Sequence, residues 1–77
     1  MRLTRTQGQR ITKLEEAVAD DKRVERGIRA SAEQNKREGH RGRAAEDLKL
    51  ADGIRARRQK REAEIADRKA NPGKWRW

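Results

Sequence analysis

Residues 39–42, Gly39-His40-Arg41-Gly42, divide the chain, and reading them as a turn decides the fold. Two glycines three apart supply a helix C-cap and the positive-φ freedom that a tight reversal needs. Upstream, Ile11, Leu14, Ala17, Val18, Val24, Ile28 and Ala32 fall on one helical face about 140° wide at ~100° per residue. Thr12-Lys13-Leu14-Glu15 fits a capping box, in which hydroxyl and carboxylate satisfy orphan amides reciprocally. Glu15 and Glu16 then sit in the first turn, where the helix dipole favours anions. This predicts helix 1 over about residues 10–38, with a start near Thr4 or Thr6 equally consistent if Gly8 is tolerated. Downstream, helix 2 is expected over about residues 43–70, some 40 Å long at ~1.5 Å per residue. Asn71-Pro72-Gly73 ends it: Asn tolerates a left-handed cap and Pro cannot continue a helix. Residues 71–77 form a tail.

The predicted class is all-α, a single helical element over residues 1–77. Its two long helices, joined at Gly39–Gly42, form either a helical hairpin or an extended pair resting on different neighbours. The chain is 45% charged, and its ten Leu, Ile and Val residues are joined by no Phe or Tyr. That is below the roughly 20% of large aliphatic and Phe residues at which a highly charged chain is expected to order alone. There is no Cys to staple so short a chain, and one His cannot build a metal site. The expectation is a fold ordered by partners, without an independent globular core or a cofactor. The apolar stripe of helix 1 is thin, and Asp21 and Glu25 lie inside it. Gly27 and Gly53 sit mid-helix at a cost of ~1 kcal/mol each against Ala.

The net charge is +9 with a pI near 11.1, which points to nucleic acid, anionic membrane or acidic protein. Residues 41–77 carry twelve Lys and Arg against six Asp and Glu, and so hold +6 of the total. No apolar run approaches the ~18–20 residues that span a bilayer, and no signal-like stretch opens the chain. The expected location is the cytoplasm or the inside of a virion or nucleoprotein particle, with secretion and membrane association disfavoured.

Within helix 2, residues 55–61 read Arg-Ala-Arg-Arg-Gln-Lys-Arg. The apolar face of that helix is Leu50, Ile54 and Ile65, with Leu48 and Ala51 alongside, and Arg57, Arg58 and Arg61 interrupt it. A coiled coil written through this face would carry arginines at successive seam positions, at a cost well above that of one specifying polar residue. The block is therefore expected to meet an anion or solvent, leaving the hairpin unable to close there by itself. Arg55, Arg57, Arg58, Lys60 and Arg61 are the predicted nucleic-acid-binding residues, because a guanidinium forks onto phosphate with paired, charge-assisted hydrogen bonds. An acidic protein surface is the second option. A solvated face is the third, with Arg58–Glu62, Lys60–Glu64 and Glu64–Arg68 as i,i+4 pairs.

The run Arg61-Glu62-Ala63-Glu64-Ile65-Ala66-Asp67-Arg68-Lys69-Ala70-Asn71-Pro72, following this block, resembles the arginine-rich RNA-binding helix of lambdoid phage antitermination N proteins. The likeness covers residues 55–72 and is one of Arg, Ala and Glu spacing. It departs from that family in lying at the C-terminal end and in lacking a Trp within the helix.

Both aromatic residues, Trp75 and Trp77, stand in the terminal Gly73-Lys74-Trp75-Arg76-Trp77. They are the predicted partner anchors, since Trp buries large area at interfaces. Folding back onto the hairpin, or stacking on bases or lipid, are the alternatives. Helix packing is assigned to Ile11, Leu14, Val18, Ile28, Leu50, Ile54 and Ile65. His40 reads as an ordinary turn residue. No metal-ligand spacing, phosphate loop or nucleophile–base pair is present, so no catalytic residue is assigned and no enzymatic activity is expected. The leading expectation is a small, basic, non-enzymatic helical protein binding DNA or RNA through its arginine-rich helix within a larger assembly. The alternative is a minor structural or adaptor subunit, for example of a phage virion, packing on protein neighbours with the tryptophans as anchors. A homo-oligomer is a further option for its partners, and a cationic membrane-surface peptide is the third reading.

Overall fold

The computed structural model describes residues 3–75. Two helices, α1 (Arg5–Arg37) and α2 (Arg41–Ala70), pack antiparallel as a hairpin, and a short 3₁₀ turn, Pro72–Lys74, follows. The molecule is a rod of 55 × 15 × 15 Å with a radius of gyration of 16.8 Å, against ~11 Å for a compact domain of this length. All packing therefore happens along one seam.

Helix α1 starts more than a turn before the expected Thr12 box. The capping box is built on Thr4 instead: Gln7 N–H donates to Thr4 Oγ1 (3.1 Å) and Thr4 N–H donates to Gln7 Oε1 (2.7 Å). A Gln at the third position closes such a box as a Glu does, and Gly8 is accommodated inside the helix. Thr12 is then mid-helix, its hydroxyl donating to the Gly8 carbonyl (3.0 Å), the back-bond available to a helical Thr.

The joint is three residues, Glu38 to His40. Gly39 takes φ 82°, His40 N–H donates to the Asn35 carbonyl (2.7 Å) and Gly39 N–H to that of Lys36 (3.2 Å). This is a Schellman termination, which needs one left-handed residue. Gly42, expected in the turn, consequently lies in the first turn of α2. At the other end Asn71 does not adopt the expected left-handed cap; its φ is −131°. Its N–H still donates to the Asp67 carbonyl (2.8 Å).

The seam has a regular heptad spacing. On α1 the buried or half-buried residues include Gln7, Ile11, Leu14, Val18, Asp21, Glu25, Ile28, Ala32 and Asn35, alternating steps of four and three, with Gly8, Ala17 and Arg29 half-buried beside them. On α2 they include Ala44, Asp47, Ala51, Ile54, Arg58, Arg61, Ile65 and Arg68, stepping three and four. This 3.5-residue period keeps one stripe of each helix facing its partner. Ile11, Leu14, Val18 and Ile54 are buried, and Ile28 and Ile65 half-buried, in the seam. Leu50 departs from its expected packing role: one position off the stripe, it is 56% exposed, and Val24 and Leu48 are also open.

The arginine block corrects the expectation that the hairpin cannot close at its centre. Arg58 and Arg61 occupy seam positions, and the residues level with them on α1 are Asp21 and Glu25. Two interrupted stripes meet at their interruptions, with opposite charge.

Candidate nucleic-acid interface

Asp21 is 3% exposed and takes one guanidinium on each oxygen. Arg57 Nη2 donates to Oδ1 (2.8 Å) and Arg61 Nη1 to Oδ2 (2.7 Å). Burial raises the Asp21 pKa, but the hydrogen bonds and charges of Arg57 and Arg61 outweigh it and hold the carboxyl below its ordinary value.

Glu25, one turn on, gathers three arginines. Arg29 Nε donates to Oε2 (2.8 Å), Arg55 Nη2 lies 3.3 Å from the same oxygen, and Arg58 Nη2 donates to Oε1 (3.3 Å). The Arg29 hydrogen bond is the main reason its pKa is lowered, against the opposing effect of burial. Arg29 and Arg58 are braced again, by Asp52 (3.1 Å) and Glu62 (2.7 Å). Arg58 Nε is buried without a hydrogen-bond partner, so closing the seam here carries a desolvation cost.

Of the five residues predicted to meet phosphate, Arg58 and Arg61 serve the seam. Arg55 and Arg57 touch it, yet their side chains remain 49% and 57% exposed. Lys60 is exposed and makes no ion pair among the described residues. The residues missed in the sequence are Asp21 and Glu25, along with Arg29. Their signal was the unbroken 4-3 spacing from Gln7 to Asn35, which passes through polar positions as regularly as through apolar ones.

The remaining cations are distributed unevenly. Lys22, Arg29 and Lys36 recur every seven residues along one flank of α1, and Arg41 and Arg55 lie on the corresponding flank of α2. The contacts Arg29–Asp52, Arg55–Glu25 and Lys69–Glu15 (3.5 Å) show that these flanks share one side of the rod. Towards the open end that side is balanced by the Lys69–Glu15 pair. Towards the tip it becomes cationic. Among the described residues, Lys22, Arg26, Lys36, Arg37, Arg41 and Arg43 make no ion pair, while the one acid at the tip, Glu38, accepts from Gln34 (2.7 Å) and lies 3.8 Å from His40. The first turn of α2 contains no acid, and His40 gives it no side-chain cap.

Trp75 folds back onto α2. Its Nε1 donates to Asp67 Oδ2 (3.1 Å) and the Arg68 guanidinium lies 4.1 Å from its ring centroid. Asp67 also accepts from Lys74 (3.1 Å) and Asn71 (3.0 Å), and Lys74 is the leading cause of its lowered pKa. The turn is tied to α1 where Gln7 Nε2 donates to the buried Pro72 carbonyl (2.9 Å). Trp77, the other expected anchor, lies outside the described residues.

Among the described residues no group of three or more His, Cys, Asp or Glu is placed to hold a metal, and no helix is long and apolar enough to cross a membrane. Comparison with protein-family profiles, curated proteins and solved structures finds no match.

Proposed function

We propose that this chain is a non-enzymatic basic helical hairpin that binds nucleic acid by its phosphates. The observation supporting this is that Lys36, Arg37, Arg41 and Arg43 at the tip find no ion-pair partner among the described residues, although Glu33, Glu38, Glu46 and Asp47 lie within a helical turn of them. Cations left without partners contribute nothing to the seam, and their donors stay open to an anion. Arg55, Arg57 and Lys60 add open donors to the same task, while Arg58 and Arg61 act as braces. This revises the arginine-rich helix from the whole contact surface to one part of it.

The test is fluorescence anisotropy with a short DNA duplex across salt. Four tip contacts give a log–log salt slope of about −3 to −4. Replacing Lys36, Arg37, Arg41 and Arg43 by Ala should remove most of that slope while leaving the helical circular-dichroism signal intact. Undetectable binding, or affinity unchanged between ~50 and ~200 mM salt, would overturn the reading in favour of a subunit that packs on protein through its exposed Val24, Leu48 and Leu50.

A further inference from the structure

We infer that the open groove beside Glu25 is a phosphate-binding subsite that seats one phosphodiester of the bound strand; the identity of the strand rests on the nucleic-acid reading above. The groove, about 340 Å³, is lined by Lys22, Glu25, Arg26, Arg29, Arg55 and Arg58. Five cations thus surround one carboxylate. A network serving the fold alone would bring charges close to balance, because surplus like charge in a half-buried place repels itself. Even with Asp52 and Glu62, which brace Arg29 and Arg58 from behind, the cations remain in excess.

The geometry separates a held floor from open donors. Glu25 fixes three guanidiniums at 2.8, 3.3 and 3.3 Å, and a carboxylate has only two oxygens to share among them. Each guanidinium carries five N–H donors, and Arg55 uses few of its own: among the described residues its ion pair is the one at 3.3 Å, and half its side chain is exposed. Lys22 and Arg26 have no ion-pair partner among the described residues. Phosphate oxygens match such a set, since Arg binds them through a planar fork and Lys as a point charge. The site also lies on the flank that leads to the tip. Lys22 to Lys36 spans about 21 Å of helix at ~1.5 Å per residue, so a strand seated in the groove would run on to the tip cations. An acidic peptide presents the same charge, and the polyglutamate competition below separates it from phosphate.

The experiment uses the full chain labelled with ¹⁵N, titrated first with pyrophosphate and then with a single-stranded oligonucleotide. Two charge-matched variants accompany it: Lys22→Ala with Arg26→Ala, and Arg5→Ala with Arg10→Ala at the far end. None of these four residues makes an ion pair among the described residues, so the fold should persist, as circular dichroism will show. Pyrophosphate should give saturable shifts at Lys22, Arg26 and the Arg29 and Arg55 Nε–H signals. The groove variant should abolish them and weaken the oligonucleotide about tenfold or more, as loss of charge-assisted contacts implies, with the distal variant losing much less. Shifts that spread evenly over all cations without saturating, or equal losses in both variants, would overturn the subsite even if nucleic acid binds. Saturable pyrophosphate binding in the groove without oligonucleotide binding would keep the subsite and remove the nucleic-acid reading. Competition by polyglutamate at the same charge concentration as the oligonucleotide would replace phosphate by an acidic protein and overturn the assignment.

Discussion

Asp21 and Glu25 are neighbours on the same stripe of α1, each is almost fully buried, and each is held by arginines from α2. They nevertheless do different things. Asp21 is matched oxygen for oxygen by Arg57 and Arg61, at 2.8 and 2.7 Å. Glu25 is oversupplied, with a third guanidinium from its own helix and two longer contacts at 3.3 Å. The first centre is a closed structural joint. The second leaves an open groove with donors to spare. One turn of helix thus separates a charge that completes the fold from a charge that organises a surface.

The comparison breaks most completely in acid. Both carboxyls have pKa values below their ordinary ones, so the unfolded chain takes up protons first as pH falls. Their contribution is therefore full above the unfolded values of ~3.9 for Asp and ~4.3 for Glu and is lost as pH falls through the lower folded values. Thermal melting should be insensitive to these groups from pH 5 to 7 and should drop steeply below about pH 4, leaving the seam arginines of α2 without their counter-charges on α1.

Removing one centre at a time sharpens the contrast. Asp21→Ala should cost about 2–3 kcal/mol, less than the ~3–5 for a fully buried pair because Arg57 and Arg61 retain water contact. That corresponds to a fall of roughly 10–20 °C in melting temperature for a chain of this size. Asp21→Leu combined with Arg61→Leu should recover the loss, since apolar replacement of a buried pair is often neutral or stabilising. Glu25→Gln should lower the melting temperature less, because Arg29 and Arg58 keep Asp52 and Glu62. Its effect on binding is the more telling one: the chain gains a positive charge, yet oligonucleotide affinity should fall because Arg29, Arg55 and Arg58 lose their common anchor. A rise in affinity would show that charge alone matters there. The smallest effect belongs to Trp75→Ala, which removes the Asp67 hydrogen bond and the stacking on Arg68. A loss of about 1 kcal/mol or less is expected in melting, with both carboxylate centres unchanged.

The two long helices and their joint were legible because punctuation is local: Gly39 and Pro72 act through their own backbone geometry. The start of α1 stayed open between Thr12 and the earlier threonines because local patterns do not separate them; at Thr4 the Gln7 that closes the box also reaches Pro72, sixty-five positions away. The central joint was invisible for a related reason. Asp21 and Glu25 looked like defects in one stripe, and Arg58 and Arg61 like an interruption of another. Only the pairing of the stripes turns two defects into one complementary layer. The fold-back of Trp75 was among the alternatives that the sequence left open, and Asp67, which holds it, carries no signal of its own.

The joint at Gly39 decides more than the path of the backbone. Each layer of the seam pairs a residue of one arm with a residue of the other, and nothing in those pairs requires both arms to belong to the same molecule. If residues 38–40 straightened into continuous helix, two chains lying head to tail would satisfy every layer twice over, carboxylates and arginines included, as a domain-swapped dimer. The left-handed φ of 82° at Gly39, natural for glycine and strained for any other L-residue, favours the reversal, so Gly39→Ala should shift the chain towards the exchanged dimer, as sedimentation would show.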